Sequence, residues 1–102
     1  MLELRPTCEH CNRALPPELL EARICSFECT FCACCATNVL HDVCPNCGGG
    51  FVARPIRPAR NWKGDNFLGQ YPPSVVVRHW PVDPAAHRLF AAAIESLRPD
   101  QR

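Results

Sequence analysis

Four cysteine pairs stand between positions 8 and 47: Cys8-x-x-Cys11, Cys25-x-x-x-Cys29, Cys32-x-x-Cys35 and Cys44-x-x-Cys47. They take up all but one of the nine cysteines in a chain of 102 residues. A Cys-x-x-Cys pair on a tight turn can set both sulfurs about 2.3 Å from one metal ion, and two such pairs complete a tetrahedral shell. Four pairs therefore match two all-cysteine zinc sites, and two Zn2+ ions are the expected cofactors. Iron and disulfides are the competing uses of dense cysteine. An odd cysteine number and an N-terminus without a basic segment leading into an apolar core argue against an exported disulfide framework. The expectation is a metal-loaded protein of a reducing, cytoplasmic compartment, with no run of the ~20 apolar residues that a membrane span needs.

The elements that must present these sulfurs are short. Residues 1–54 are too few to close a self-sufficient apolar core, so this part is expected to fold only with its metals bound. Leu15-Pro16-Pro17 forbids a regular helix after the first pair. Arg23-Ile24-Cys25 and Thr30-Phe31-Cys32 are β-prone pieces around Ser26-Phe27-Glu28 and predict a small hairpin. Ala33 to about His41 reads as a short helix with Val39 and Leu40 on its inner side. Cys44-Pro45-Asn46-Cys47-Gly48-Gly49-Gly50 reads as a second metal turn, followed by a closing strand over Phe51-Val52-Ala53-Arg54. The fold class expected is a small zinc-stabilised α+β domain.

Residues 55–84 change character. Six prolines there exclude long regular elements, although Ser74–Trp80, with Val75-Val76-Val77, offers one strand. Asp83-Pro84 then opens a helix over 85–98, Asp at the cap and Pro at the first helical position. Ala86, Leu89, Phe90, Ala93, Ile94 and Leu97 recur at helical spacing and predict one apolar stripe. The organisation read from sequence is thus a two-zinc module (1–54), a proline-rich basic and aromatic linker (55–84) and a C-terminal amphipathic helix (85–98).

Three pairings of the cysteine pairs are open: sequential, interleaved, or nested with Cys25 to Cys35 around one ion. The nested pairing leaves little room for the hairpin. The order and gaps of the pairs resemble a RING-type, treble-clef cross-brace, most closely in Phe31-Cys32-x-x-Cys35 with Leu40 and in Cys44-Pro45-x-Cys47. More narrowly, residues 1–57 resemble a bacterial family known as domain of unknown function 1272. The similar stretches are Leu4-Arg5-Pro6-x-Cys8, Ile24-Cys25-Ser26-Phe27-Glu28-Cys29-Thr30-Phe31-Cys32 and Val43-Cys44-Pro45-Asn46-Cys47-Gly48-Gly49. The RING resemblance implies the interleaved pairing: Cys8, Cys11, Cys32 and Cys35 around one ion, Cys25, Cys29, Cys44 and Cys47 around the other. It also implies that Cys34 is spare, a small helix residue or a reactive thiol. His41-x-x-Cys44 has ligand spacing, but eight thiolates already suffice. His10 reads as a solvated or sulfur-contacting side chain, and His79 and His87 stand alone.

Charge sharpens the functional options. The formal net charge is +1, and eight thiolates with two divalent ions bring it to about −3. Residues 1–50 hold six acids against three arginines, while Arg54, Arg57, Arg60 and Lys63 follow with no acid among them. With Trp62 inside it, this basic stretch is a candidate contact for nucleic acid or for a protein partner. Four-cysteine zinc sites are closed, so a non-catalytic module that binds another protein is the leading expectation. Weak nucleic-acid binding through residues 54–63 is the alternative, and a homodimer through residues 86–97 is a specific form of the first. Ubiquitin-ligase chemistry would follow from the RING resemblance. This chain departs from it, with Glu9 and His10 where active ligases present an apolar residue, and with Gly48 where a basic residue often follows the last ligand. Cys25-x-x-x-Cys29-x-Phe31-Cys32 also matches the cluster motif of radical S-adenosylmethionine enzymes, which need a partial barrel that 102 residues cannot build.

Overall fold

In the computed structural model, which describes residues 1–102, Ala22–Ile24 (β1) lies at the centre of a three-stranded antiparallel sheet. Thr30–Cys32 (β2) pairs with it on one side, with Arg23 opposite Phe31. Val52–Ala53 (β3) pairs on the other, with Ile24 opposite Val52. The hairpin between β1 and β2 closes through Cys25 N–H to the Cys29 carbonyl (3.2 Å) and Glu28 N–H to the Cys25 carbonyl (3.0 Å). Glu28 takes a left-handed backbone (φ 69°) to make that turn, so the loose Cys25–Cys29 spacing is the hairpin loop itself.

The short helix expected from Ala33 to about His41 is present over residues 33–39. The chain turns helically after β2 and widens into a single π-helical turn over Cys35–Val39. Leu40 N–H returns to the Cys35 carbonyl (2.9 Å) and Asp42 N–H to the Ala36 carbonyl (2.8 Å). His41 and Asp42, both left-handed (φ 54° and 57°), then stop it. This turn drives Leu40 to complete burial beside Cys35 and Ala36.

The core is small and largely sulfur-lined. Leu15, Phe31 and Leu40 are sealed among Cys8, Cys25, Cys29, Cys32, Cys35 and Cys44, and Phe51 meets Phe31 edge-on with ring centres 5.5 Å apart. Leu20, Phe27 and Val52 remain in solvent, which leaves even fewer apolar side chains to hold residues 1–54 together.

Residues 55–84 do not hang free. Ser74 N–H donates to the Leu4 carbonyl (2.9 Å) and Trp80 N–H to the Glu9 carbonyl (2.8 Å), laying the segment across the N-terminal residues. No strand forms over Ser74–Trp80, because the backbone between those two anchors makes only a local bond, Val76 N–H to Ser74 Oγ (3.1 Å), and Val75, Val76 and Val77 face solvent. The helix that follows, Pro84–Ala92 (α1), is shorter than expected. Asp83 caps it, Oδ1 accepting from Ala85 N–H (3.0 Å) and Ala86 N–H (3.5 Å), and turns replace it beyond Ala93.

The face that α1 buries also differs from the expected stripe. His87 and Ala91 are buried and Ile94 is half-buried, whereas Leu89 is 81% exposed. The helix is rotated because His87 Nε2 finds the Leu40 carbonyl at 2.8 Å in the interior. Gly48 gives the other end room. A Cβ there would already touch Ile94 Cδ1 and Phe90 Cζ at 3.7 Å.

Candidate metal centre

The structure brings Cys8, Cys11, Cys32 and Cys35 into one group whose sulfurs all lie within 4.8 Å of one another. Cys25, Cys44 and Cys47 form a second such group. Cys11 Sγ stands 3.9 Å from Cys32 Sγ, against the ~3.8 Å edge of a tetrahedron built on metal–sulfur bonds of about 2.3 Å. The first donor set therefore fits a tetrahedral thiolate-bound ion such as Zn2+. Cys29 lies outside the second group; its sulfur accepts from Asn46 Nδ2 at 3.3 Å. Neither Cys34, which is exposed and contacted by Asn38, nor His41 belongs to either group.

The two Cys-x-x-Cys turns outside the hairpin are built alike. In each, the residue after the second cysteine is left-handed, Asn12 at φ 63° and Gly48 at φ 78°. Each sends its N–H back to the first cysteine's carbonyl, Asn12 to Cys8 (2.9 Å) and Gly48 to Cys44 (2.8 Å). This turn aims further backbone N–H groups at sulfur. Cys11 N–H lies 3.5 Å from Cys8 Sγ and Gly49 N–H 3.4 Å from Cys47 Sγ. Cys35 N–H, in the helical turn, donates to Cys32 Sγ at 3.4 Å, and Phe27 N–H, in the hairpin, to Cys25 Sγ at 3.4 Å. Such donors stabilise negative charge on sulfur and fix the ligand's direction.

The surroundings oppose bare thiolates. Burial pushes the thiols of Cys35 and Cys44 far up, with neighbouring cysteine sulfurs adding to the rise. Cys29 is raised too, again chiefly by burial, although the Asn46 amide works against it. Close-packed sulfurs in an apolar core stay protonated unless a cation joins them, so the fold suits a metal and not a cluster of free anions.

A network fixes the first turn to the sheet. The Glu9 carboxylate, buried between two cysteines of the first group, accepts from Arg5 Nη1 (2.9 Å) and from Thr30 N–H, while Glu9 N–H donates to the Thr30 carbonyl (3.0 Å). His10 is half-buried. Its Nδ1 accepts from Val82 N–H (2.9 Å), and its carbonyl meets His79 Nε2 (3.1 Å).

Of the basic candidates, Arg54 is a correction. It is 4% exposed, donating from Nη1 to the Arg5 carbonyl (2.9 Å) and from Nη2 to those of Leu15 and Pro16 (both 3.0 Å). No carboxylate pairs with it, and burial pulls its pKa down. Its place immediately after β3 turns it inward, where it serves three backbone carbonyls instead of a partner. Arg57 is half-buried and bonds the carbonyls of Tyr71 (2.6 Å) and Leu2 (2.8 Å). Arg60, Trp62 and Lys63 are exposed. They ride a loop clasped by Asn61, whose Nδ2 donates to Asp65 Oδ1 (2.7 Å) and whose Oδ1 accepts from Asp65 N–H (3.1 Å).

Comparison with known proteins places these features in a family. The family described as "Protein of unknown function (DUF1272)" matches residues 1–57, more than half of the chain. The chain belongs to the DUF1272 family. It is also similar to an uncharacterized protein of Rhizobium meliloti (strain 1021), 55% identical over 74 residues that cover 72% of this chain and 81% of the relative. No solved structure matches. The DUF1272 region contains both sulfur groups, the whole sheet and Arg54. Because 74 aligned residues exceed the length of that region, the likeness to the Rhizobium protein also takes in residues outside 1–57.

Proposed function

We propose that this DUF1272 protein is a non-catalytic module, built around two structural zinc ions in a RING-like treble-clef cross-brace, that binds another protein. Cys8, Cys11, Cys32 and Cys35 hold one ion; Cys25, Cys44 and Cys47, joined by Cys29, hold the other. The observation that carries this reading is the closed four-sulfur group with tetrahedral spacing, which leaves no position for substrate. Its setting is a reducing compartment in which the thiols stay available to metal. Native mass spectrometry of protein loaded with zinc tests it, with two ions per chain expected and the far-ultraviolet dichroism collapsing on exhaustive chelation. A chain that stays fully ordered with its thiols free overturns it.

The partner side of the reading rests on what the extension leaves in water. Trp62 and Trp80 are 75% and 74% exposed, and Leu89 and Phe90 keep an apolar outer face on α1. Exposed aromatics beside prolines suit protein contact. A second copy of the chain meeting along residues 86–97 is one form of this, and sedimentation of a Phe90→Asp variant decides it: a mass unchanged from wild type rejects that face. Nucleic-acid binding through Arg60, Trp62 and Lys63 is the second reading. It is weakened by the engagement of Arg54 and Arg57 with backbone carbonyls. Ligase activity is disfavoured because Glu9 is buried in its own network where an apolar contact residue would be needed.

A further inference from the structure

The two sulfur groups are unequal, and the inequality falls where the C-terminal segment is fastened. The first group is complete, with four sulfurs in mutual reach. It is locked from several sides: Glu9 to β2, and His10 and the Glu9 carbonyl to residues 79–82 of the extension. The second has three sulfurs in mutual reach, and the fourth, Cys29, lies outside that group and accepts from the Asn46 amide. Asn46 lies between Cys44 and Cys47, so the same turn that supplies two ligands also supplies the group that restrains the fourth. Cys47 is exposed, and the three glycines after it place no side chain over the site.

Those glycines are where the end of the chain docks. Phe90 and Ile94 lie over Gly48. Arg102 Nη1 donates to the carbonyls of Gly48 (3.2 Å) and Asp42 (3.0 Å), while its Nε donates to that of Leu97 (3.1 Å). Pro99 sits so close to Gly50 that a Cβ there would stand 2.9 Å from Pro99 Cγ. Residues 90–102 therefore rest on backbone whose shape is set by the Cys44–Cys47 turn.

Resting on the two-zinc reading, we propose that the second ion is an exchangeable one, held by Cys25, Cys44 and Cys47 with Cys29 as a releasable fourth ligand, and that its departure frees residues 90–102 while the first ion and its half of the module stay in place. The ligand class is a soft, thiophilic divalent cation, Zn2+ or Cd2+. Release needs no redox step: each thiolate that leaves the metal takes up a proton from water, and the ion passes to a competing chelator. Loss of the ion loosens the Cys44–Gly50 turn, which removes the Gly48 and Gly50 contacts of Arg102 and Pro99 and leaves Arg102 the Asp42 carbonyl alone outside its own segment.

The test uses the full chain loaded with zinc and titrated with EDTA, read by native mass spectrometry and hydrogen exchange on the same samples. A one-ion species is expected to accumulate, with protection lost over residues 44–50 and 90–102 and retained over residues 4–9 and 30–36. Cys29→Ser is expected to keep its second ion with affinity lowered about 10–100-fold, the range of a supporting residue, whereas Cys44→Ser loses it. Simultaneous loss of both ions, or a one-ion species with residues 90–102 still protected, overturns the proposal, as does a Cys29→Ser chain that binds one ion only. A two-ion protein that releases both ions together refutes the exchange and leaves the zinc module standing. A chain that takes up no metal refutes both.

Discussion

His87 Nε2 meets the Leu40 carbonyl oxygen at 2.8 Å across a contact closed to water, and this bond joins the C-terminal helix to the metal-binding half of the protein. Leu40 ends the π-helical turn that carries Cys35, and its carbonyl, which already accepts from Val43 N–H (3.0 Å), has a second lone pair to satisfy. The extension supplies the donor. The Phe90 ring, tilted 52° to the imidazole with centres 5.9 Å apart, packs beside it from within the same helix.

Replacing His87 by Ala removes a buried hydrogen bond but leaves the Leu40 carbonyl its bond from Val43 N–H, at a cost of about 0.5–1.5 kcal/mol. His87→Gln, which restores a donor, is expected to recover part of this. Thermal melting of zinc-loaded protein gives the size of the loss. Limited proteolysis should show new cleavage after residue 83, while two ions per chain remain by mass spectrometry. A variant that melts like wild type would mean that α1 docks without this bond.

Arg54 carries a heavier structural burden than its place in a basic run suggests. Arg54→Met keeps the aliphatic stem but strands the carbonyls of Arg5 and Leu15, while that of Pro16 keeps its bond from Leu19 N–H (3.0 Å). Relief of the buried charge offsets part of the loss, which leaves a net destabilisation of about 2–3 kcal/mol. Chemical denaturation with zinc present measures it. Arg60→Met, fully in solvent, serves as the control and should fall within ~0.5 kcal/mol of wild type.

The same geometry limits nucleic-acid affinity. With Arg54 and Arg57 committed to carbonyls, two cations of the original four remain beside Trp62. So few phosphate contacts give no better than the weak, micromolar or poorer, non-specific range at physiological salt. Titration of a fluorescent single-stranded oligonucleotide, repeated with Trp62→Ala, checks this. Nanomolar binding that falls steeply with salt and disappears in the variant would move the nucleic-acid reading to the front.

Much of the metal-binding half was legible in its sequence because cysteine spacing and turn chemistry are local. The hairpin, the helical turn and the closing strand follow from short-range cues around Ser26–Glu28, Ala33–Val39 and Gly48–Gly50. Long-range partners were not legible. Nothing near Arg54 announces that its acceptors lie at Arg5, Leu15 and Pro16, and nothing near His10 points to Val82. The helical stripe misled because periodicity ranks residues by hydrophobicity, whereas α1 is turned by one hydrogen bond of a histidine. The polar pair Glu9-His10 between two cysteines was the one available hint that the first turn is tied into a network.

Proton competition should set the pH range of the folded state. Burial raises the thiols of Cys29, Cys35 and Cys44 above the ordinary value of 9.0, so the metal-free sites hold their protons at neutral pH and metal binding must displace them. The metal-bound, folded form therefore loses stability as pH falls, the direction opposite to that of a buried thiol acting alone. Each displaced proton makes affinity fall about 10-fold per pH unit, so a site that releases several loses more than that over one unit. Competition with a chromophoric chelator between mildly alkaline and mildly acidic pH, corrected for the chelator's own protonation, measures the slope. With so few apolar side chains to hold residues 1–54, the dichroism is expected to collapse at the pH where zinc leaves. A slope near zero would show that the sulfurs are already thiolates without metal, and the apolar packing around Cys35 and Cys44 would then have to be more open than it is here.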